Sequence, residues 1–245
     1  MDSVLVTDAI VTVTSETGES EQLTLQYCAD APMYMAFRGK NLIGKENTKY
    51  TLKVECQGKT YTAETTIPKT FDLDSIWFDH SSELLSDTSA TIRVLLTDDG
   101  SAANYYAFSV KVQCPTLHDR LWVSTLPLAF DDRTFNGQTF NYEIMRASPS
   151  TFLMPSLDKD ERREFGRIIF RPGDTVYVRR STIDYATYKF MLTGGTEVAY
   201  GSNPFTNPAP VASNIMGEDV LGSWCGFASK VDTLIWRSEK QGLSL

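Results

Sequence analysis

Apolar and polar side chains alternate one by one over much of this chain. Tyr50, Leu52, Val54 and Cys56 are interleaved with Thr51, Lys53 and Glu55, and after Gln57-Gly58 the alternation resumes as Tyr61, Ala63, Thr65 and Ile67. A period of two puts every second side chain on one face of a strand. Gln57-Gly58 suits the tight turn that reverses the chain. Residues 50–67 therefore predict a hairpin, and Ala9–Val13 and Leu23–Tyr27 carry the same period. Strand pairs joined by short turns over about seventy residues predict a small antiparallel sandwich of the immunoglobulin or transthyretin kind. Its limits are drawn at 1–69, after the breaker Pro68.

The pattern resumes beyond Phe71. Ser75–Asp79, Thr91–Thr97 and Tyr105–Cys114 read as strands, with Asp98-Asp99-Gly100-Ser101 as a hairpin turn between the last two. Arg167–Arg171 and Thr175–Arg179 read as another hairpin around Pro172-Gly173, a pair suited to a type II turn. Two segments switch to helical spacing. Ser156 caps one, near 156–165, with acids in its first turn and Gly166 beyond it. The other, near 182–193, opens on Ser181-Thr182-Ile183-Asp184. It lines Ile183, Thr187, Phe190 and Met191 along one face, expected to lie on the second sheet, and Gly194-Gly195 should end it. Residues 70–245 thus predict a larger antiparallel β-sandwich or barrel-like domain carrying one or two helices.

Composition narrows the function classes. A hydrophobic share of 42% with 22% charged residues is that of a globular protein. The balance of 23 basic against 31 acidic side chains, net −8, argues against an electrostatic grip on nucleic acid or anionic lipid. No apolar run reaches the roughly 18–20 residues that span a bilayer as a helix. Met1-Asp2-Ser3 lacks the basic start of a signal peptide, so the expectation is either a cytosolic protein or one whose native beginning has been removed. Cys28, Cys56, Cys114 and Cys225 show no CxxC spacing. Cys56 and Cys114 share alternation with apolar neighbours and should point inward as thiols, with disulfides as the alternative.

Candidate chemistry is sparse. The two histidines, His80 and His118, sit in no nucleophile or zinc motif and read as surface or loop residues. Asp72, Asp74, Asp98, Asp99, Asp131 and Asp132, with Asp158, Asp160 and Glu161, offer many carboxylates, and two from different loops could form a glycosidase pair. No calcium-loop spacing is present, and Asp98-Asp99-Gly100 is ordinary turn chemistry. No catalytic, cofactor-binding or metal-ligating set is assigned. The aromatics Trp122, Tyr105 and Tyr106 are the candidates for stacking on a glycan or peptide ligand, with Trp122 expected to be the most exposed.

Residues 201–217, Gly-Ser-Asn-Pro-Phe-Thr-Asn-Pro-Ala-Pro-Val-Ala-Ser-Asn-Ile-Met-Gly, are rich in Asn, Pro and Gly and carry no charge. Asn before Pro stays out of helix and satisfies nearby backbone groups, while Phe205, Val211 and Ile215 supply apolar anchors. This reads as a structural tie. Asn203, Pro204, Phe205 and Pro208, then Ser213, Asn214 and Gly217, with Val220-Leu221-Gly222 beyond, resemble the C-terminal signature of domain-of-unknown-function family 4249 of Bacteroidota. The 50–68 hairpin, Asp72–Ile76, and Gly173–Val176 with Ile183, Asp184 and Tyr188 resemble that family too, so the likeness spans nearly the whole chain. It implies a non-enzymatic outer-membrane lipoprotein, lipid-anchored in its native form, that partners a TonB-dependent outer-membrane receptor. Two features depart from the pattern: the lipid-bearing cysteine and an expected first strand are missing ahead of Val4, and Glu218–Leu221 is more polar than usual.

Overall fold

A computed structural model describes residues 6–28, 35–80, 89–114, 117–118, 122–146, 169–200 and 210–237. Five strands come first: β1 (Ile10–Ser15), β2 (Ser20–Tyr27), β3 (Met35–Arg38), β4 (Thr48–Cys56) and β5 (Lys59–Ile67). Next are β6 (Ser75–Asp79), β7 (Thr91–Thr97), β8 (Tyr105–Cys114), β9 (Leu117–His118), β10 (Val123–Leu126), β11 (Phe130–Asp131), β12 (Thr139–Arg146) and β13 (Thr175–Thr182). Helix α1 (Tyr185–Tyr200) and strands β14 (Ile215–Met216) and β15 (Ala228–Ile235) complete the order. The protein is mainly β and its sheets are antiparallel, one of them nearly closed like a barrel. The six-stranded sheet runs β14-β5-β4-β1-β2-β3, and the nine-stranded sheet follows β15-β13-β8-β10-β12-β7-β6, with β9 and β11 paired to β8.

The predicted 50–67 hairpin is β4–β5, in register from Thr48 opposite Ile67 to Cys56 opposite Lys59. Gln57 and Gly58 both have positive φ, 49° and 75°, as a tight turn matching the strand twist requires. Two other hairpins do not form among the described residues. β7 pairs with β6 and β12, and β8 with neither β6 nor β7. Instead of folding β7 back on β8, Asp98 donates its backbone N–H to Gln138 at the start of β12. Likewise, among the described residues, β13 does not pair with residues 169–171 before Pro172. Phe170 bridges Ala90, and β13 lies between β8 and β15. The turn itself forms, with Asp174 N–H bonded to Arg171 and Gly173 at φ 92°.

The chain divides into two compact units, Met1–Thr70 with Thr182–Ala228 and Phe71–Ser181 with Ser229–Leu245. The first break falls at residue 70, and residues 182–228 are grouped with the first unit. Asp184 shows how. One carboxylate oxygen caps α1 by accepting the Thr187 N–H at 2.8 Å, and the other accepts the Thr65 hydroxyl of β5 at 2.6 Å. Thr65 in turn accepts the Gly226 N–H at 2.8 Å. The helix is therefore grouped with the first unit. It starts at Tyr185, since Ser181 and Thr182 still lie in β13, and it runs through Gly194-Gly195 to Tyr200. Glycine weakens a helix without removing any backbone donor, so the ladder continues. The helix expected near 156–165 falls outside the described residues.

The second unit holds the main core. Ile92, Val94 and Leu96 of β7, Phe108, Val110 and Val112 of β8, and Val176 and Val178 of β13 are buried together. Aromatic rings fill one end: Phe135 stacks on Phe140 at 4.2 Å between centroids, and Phe130 meets Tyr142 at 4.5 Å.

Candidate functional site

Alternation sorts β8 and β13 into two faces. With Phe108, Val110 and Val112 turned into the core, Ser109, Lys111 and Gln113 must point the other way; with Val176 and Val178 inside, so must Tyr177 and Arg179. β10 lies on the far side of β8 with Val123 opposite Val110, a register that carries Trp122 opposite Lys111. Three neighbouring strands thus bring Trp122, Lys111 and Arg179 together. The Arg179 guanidinium sits 4.7 Å from the indole centroid and the Lys111 ammonium 5.3 Å from it, both within cation–π range.

The electrostatics of this patch are unusual for so acidic a chain. Arg179 donates Nε–H to the Ser109 hydroxyl at 3.0 Å, which holds the guanidinium in place. Burial lowers its pKa, with no acid offsetting the effect. Among the described residues no carboxylate pairs with Arg179 or Lys111, and the two Nη groups of Arg179 have no hydrogen-bond partner. Several other cations are neutralised: Lys49 pairs with Glu64, Arg93 with Asp79, Arg180 with Asp232 and Lys230 with Asp72. Tyr177 donates its hydroxyl to Gln113 at 3.3 Å beside the patch, adding a neutral polar group and an exposed amide. An open guanidinium fork, a second cation and an aromatic floor can hold an oxyanion.

The residues singled out from sequence separate clearly. Trp122 is half-buried rather than the most exposed aromatic, and its ring is engaged by the two cations. Tyr106 offers no stacking face: it is buried, and its hydroxyl donates to Asp98. Burial first, then that carboxylate, pushes the Tyr106 phenol far above its ordinary pKa. Tyr105 stands opposite Asp131, about 20 Å along β8 from Lys111, and so lies outside the patch. Asp98 is buried and accepts the Gly100 and Gly137 N–H groups, each at 2.9 Å, as well as the Asn104 amide and Tyr106. Asp132 is buried and accepts the Asn104 N–H at 2.7 Å, while Asp131 pairs with Arg133. Asp99 accepts the Ser101 N–H. His80 is exposed with its ring against Trp236, and His118 lies in β9. Cys28 is buried and Cys56, Cys114 and Cys225 are half-buried, all as thiols. Burial pushes the Cys225 thiol up to about 12. No group of three or more metal-ligating side chains occurs among the described residues.

Of the signature residues, Asn203, Pro204, Phe205 and Pro208 lie outside the described residues. The rest tie the segment to the first sheet. Ile215 pairs with Ala63, making β14 the edge strand beside β5. Asn214 clamps Trp224 by accepting its N–H at 2.9 Å and donating to its carbonyl at 2.7 Å, and also donates to the Glu64 carbonyl. Ser213 donates to the Gly222 carbonyl. At Gly217 any side chain would collide with Tyr61, whose ring carbon stands 2.3 Å from where a Cβ would be.

The face of this first sheet carries two open hollows of about 280 and 530 Å³ that share Leu23 and Trp224. Their walls are mostly apolar, and the polar groups in the smaller one are already used. Glu21 accepts the backbone N–H groups of Lys40, Asn41 and Leu42, and Thr65 is held between Asp184 and Gly226. Alternation alone could have found the polar face of β8 and β13. That Trp122 joins it depends on the β8–β10 register, which no local signal encodes.

Fold and patch together describe a two-unit antiparallel β-protein whose open polar groups suit binding. The chain belongs to the family Domain of unknown function (DUF4249), which matches residues 2–232. Comparison with curated proteins and with solved structures returns no match. No helix among the described residues is long and apolar enough to cross a membrane.

Proposed function

We propose that this protein is a non-enzymatic binding protein of the cell envelope, lipid-anchored at the outer membrane in its native form, that serves a TonB-dependent transporter. One observation carries the binding reading: among the described residues the Arg179 fork and the Lys111 ammonium stand uncompensated over Trp122, in a chain whose net charge is −8. The carboxylates that could have served a hydrolase are otherwise occupied at Asp98 and Asp132, whose oxygens accept backbone and side-chain hydrogen bonds. The envelope setting and the transporter partner rest on the family likeness of the 50–68 hairpin and the Ser213–Gly217 segment.

The test is affinity capture of the native, anchored protein from detergent-solubilised outer membrane. A TonB-dependent receptor should be recovered in near-stoichiometric amount. Capture of no transporter, with the bait intact, would count against the partner. Turnover of any member of a polysaccharide panel would sink the non-enzymatic reading.

A further inference from the structure

Among the described residues, the Trp122 patch differs from the protein's other charged clusters in having positive groups without acids. The cluster around Arg180 is a useful contrast. That side chain is buried, donates Nε–H to the Phe71 carbonyl at 3.0 Å, and is neutralised by Asp232 and Asp72. Arg93 likewise lies between Asp79 and Glu143. Arg179 is half-buried with one donor anchored to Ser109 and its outer fork open. Bringing Lys111 to the same ring adds a like charge, which is unfavourable unless an anion bridges the two.

The neighbours select among anions. Tyr177 and Gln113 place a phenol and an amide on the same face, neutral groups of the kind that bond to hydroxyls. Among the described residues only two cations converge there, and the whole chain is acidic, so a run of negative charge would be repelled by the surrounding field. The fitting ligand has one isolated charge on an otherwise neutral, hydroxyl-rich frame.

We infer that the outer face formed by Ser109, Lys111, Trp122, Tyr177 and Arg179 binds an acidic saccharide, one carboxylate of which enters the Arg179 fork beside Lys111. This rests on the ligand-binding part of the proposed function and is independent of the transporter. The carboxylate accepts two parallel N–H bonds from the guanidinium, Lys111 supplies the second charge, and the sugar hydroxyls meet Tyr177 and Gln113.

The experiment uses the full purified chain. Oligosaccharides bearing a single uronic or sialic acid are titrated by calorimetry and by indole fluorescence, each beside its neutral counterpart and beside a blocked tripeptide with one glutamate. At least one acidic sugar should bind saturably, weaken with salt, and outbind both its neutral counterpart and the peptide by about tenfold or more. Arg179→Gln and Lys111→Gln should each lower that affinity by about tenfold with an unchanged melting temperature. Should Arg179→Gln not fold, Lys111→Gln alone carries the comparison.

No carboxylated sugar binding better than its neutral partner, or binding that survives both substitutions, overturns the inference. A peptide bound as tightly as the sugar overturns it too. Transporter capture that fails while the acidic sugar binds would remove the partner and leave this site standing, and the reverse result would do the opposite.

Discussion

Asp98 accepts hydrogen bonds from two backbone amides, an asparagine amide and a phenol, all while buried. The two glycines whose amides it holds, Gly100 and Gly137, are packed so closely that a Cβ on Gly100 would lie 2.7 Å from the Gly137 backbone. Both have positive φ, 65° and 71°. Removing this acid strands several donors at once, so Asp98→Ala should cost about 3 kcal/mol, against about 1.5 kcal/mol for Tyr106→Phe, which deletes a single donor. Urea denaturation measures both; equal losses would mean that the backbone amides find water instead.

Glu21 works through charge at the surface. Backbone N–H groups of Lys40, then Leu42, hold its carboxyl below the ordinary glutamate value. A carboxyl whose pKa is lower folded than unfolded stabilises the fold above its unfolded value and stops doing so as pH falls through the folded one. Exchange protection of the Lys40 and Leu42 amides should therefore persist through the ordinary glutamate range and be lost only at more acid pH in the native protein. Glu21→Gln should remove this pH response; persistence of the same acid transition in the variant would assign it to another group.

At the scale of elements, the pattern of alternation was a reliable guide to strands and a poor guide to their partners. β6, β7 and β8 occupy the residues that the sequence predicts, Ser75–Asp79, Thr91–Thr97 and Tyr105–Cys114. Yet the Asp98–Ser101 turn joins strands that are not neighbours, because its backbone and its carboxylate are drawn to the 137–138 turn. Helix α1 gives the complementary case. A helix start near residue 182 is legible locally, whereas the cap at Asp184 in place of Ser181 and the passage through Gly194-Gly195 are not. Chain packing there accepts glycine without demanding it: a Cβ at Gly194 would stand 3.6 Å from Val211, an ordinary contact. Gly194→Ala should thus stabilise the protein by up to about 1 kcal/mol in thermal or urea unfolding. Asp184→Ala should do the reverse, by about 2 kcal/mol, since it loses both the cap and the Thr65 bond.

For the whole molecule, the decisive fact is that both units are discontinuous in sequence. A fragment ending at residue 70 has β1 to β5 but lacks β14 on the β5 edge, the Asn214–Trp224 clamp and the Gly226 contact with Thr65. We expect residues 1–70 expressed alone to show no cooperative unfolding transition and poor dispersion of amide signals. A second unit made without residues 229–245 should fare no better, having lost β15 beside β13. A cooperatively folding 1–70 fragment would restore the simple boundary that the strand pattern and Pro68 suggest.

What the sequence determined by itself was local: the strand segments with their inward faces and the Gln57-Gly58 reversal. Each follows from a periodicity or a turn preference that neighbouring residues enforce on one another. Tertiary structure alone decided which strands pair, that 182–228 rejoins the first unit, and that Arg179 and Lys111 meet over Trp122. Those outcomes depend on registers between segments far apart in the chain. Many such pairings satisfy the same alternation, and only the packing of the complete core selects one.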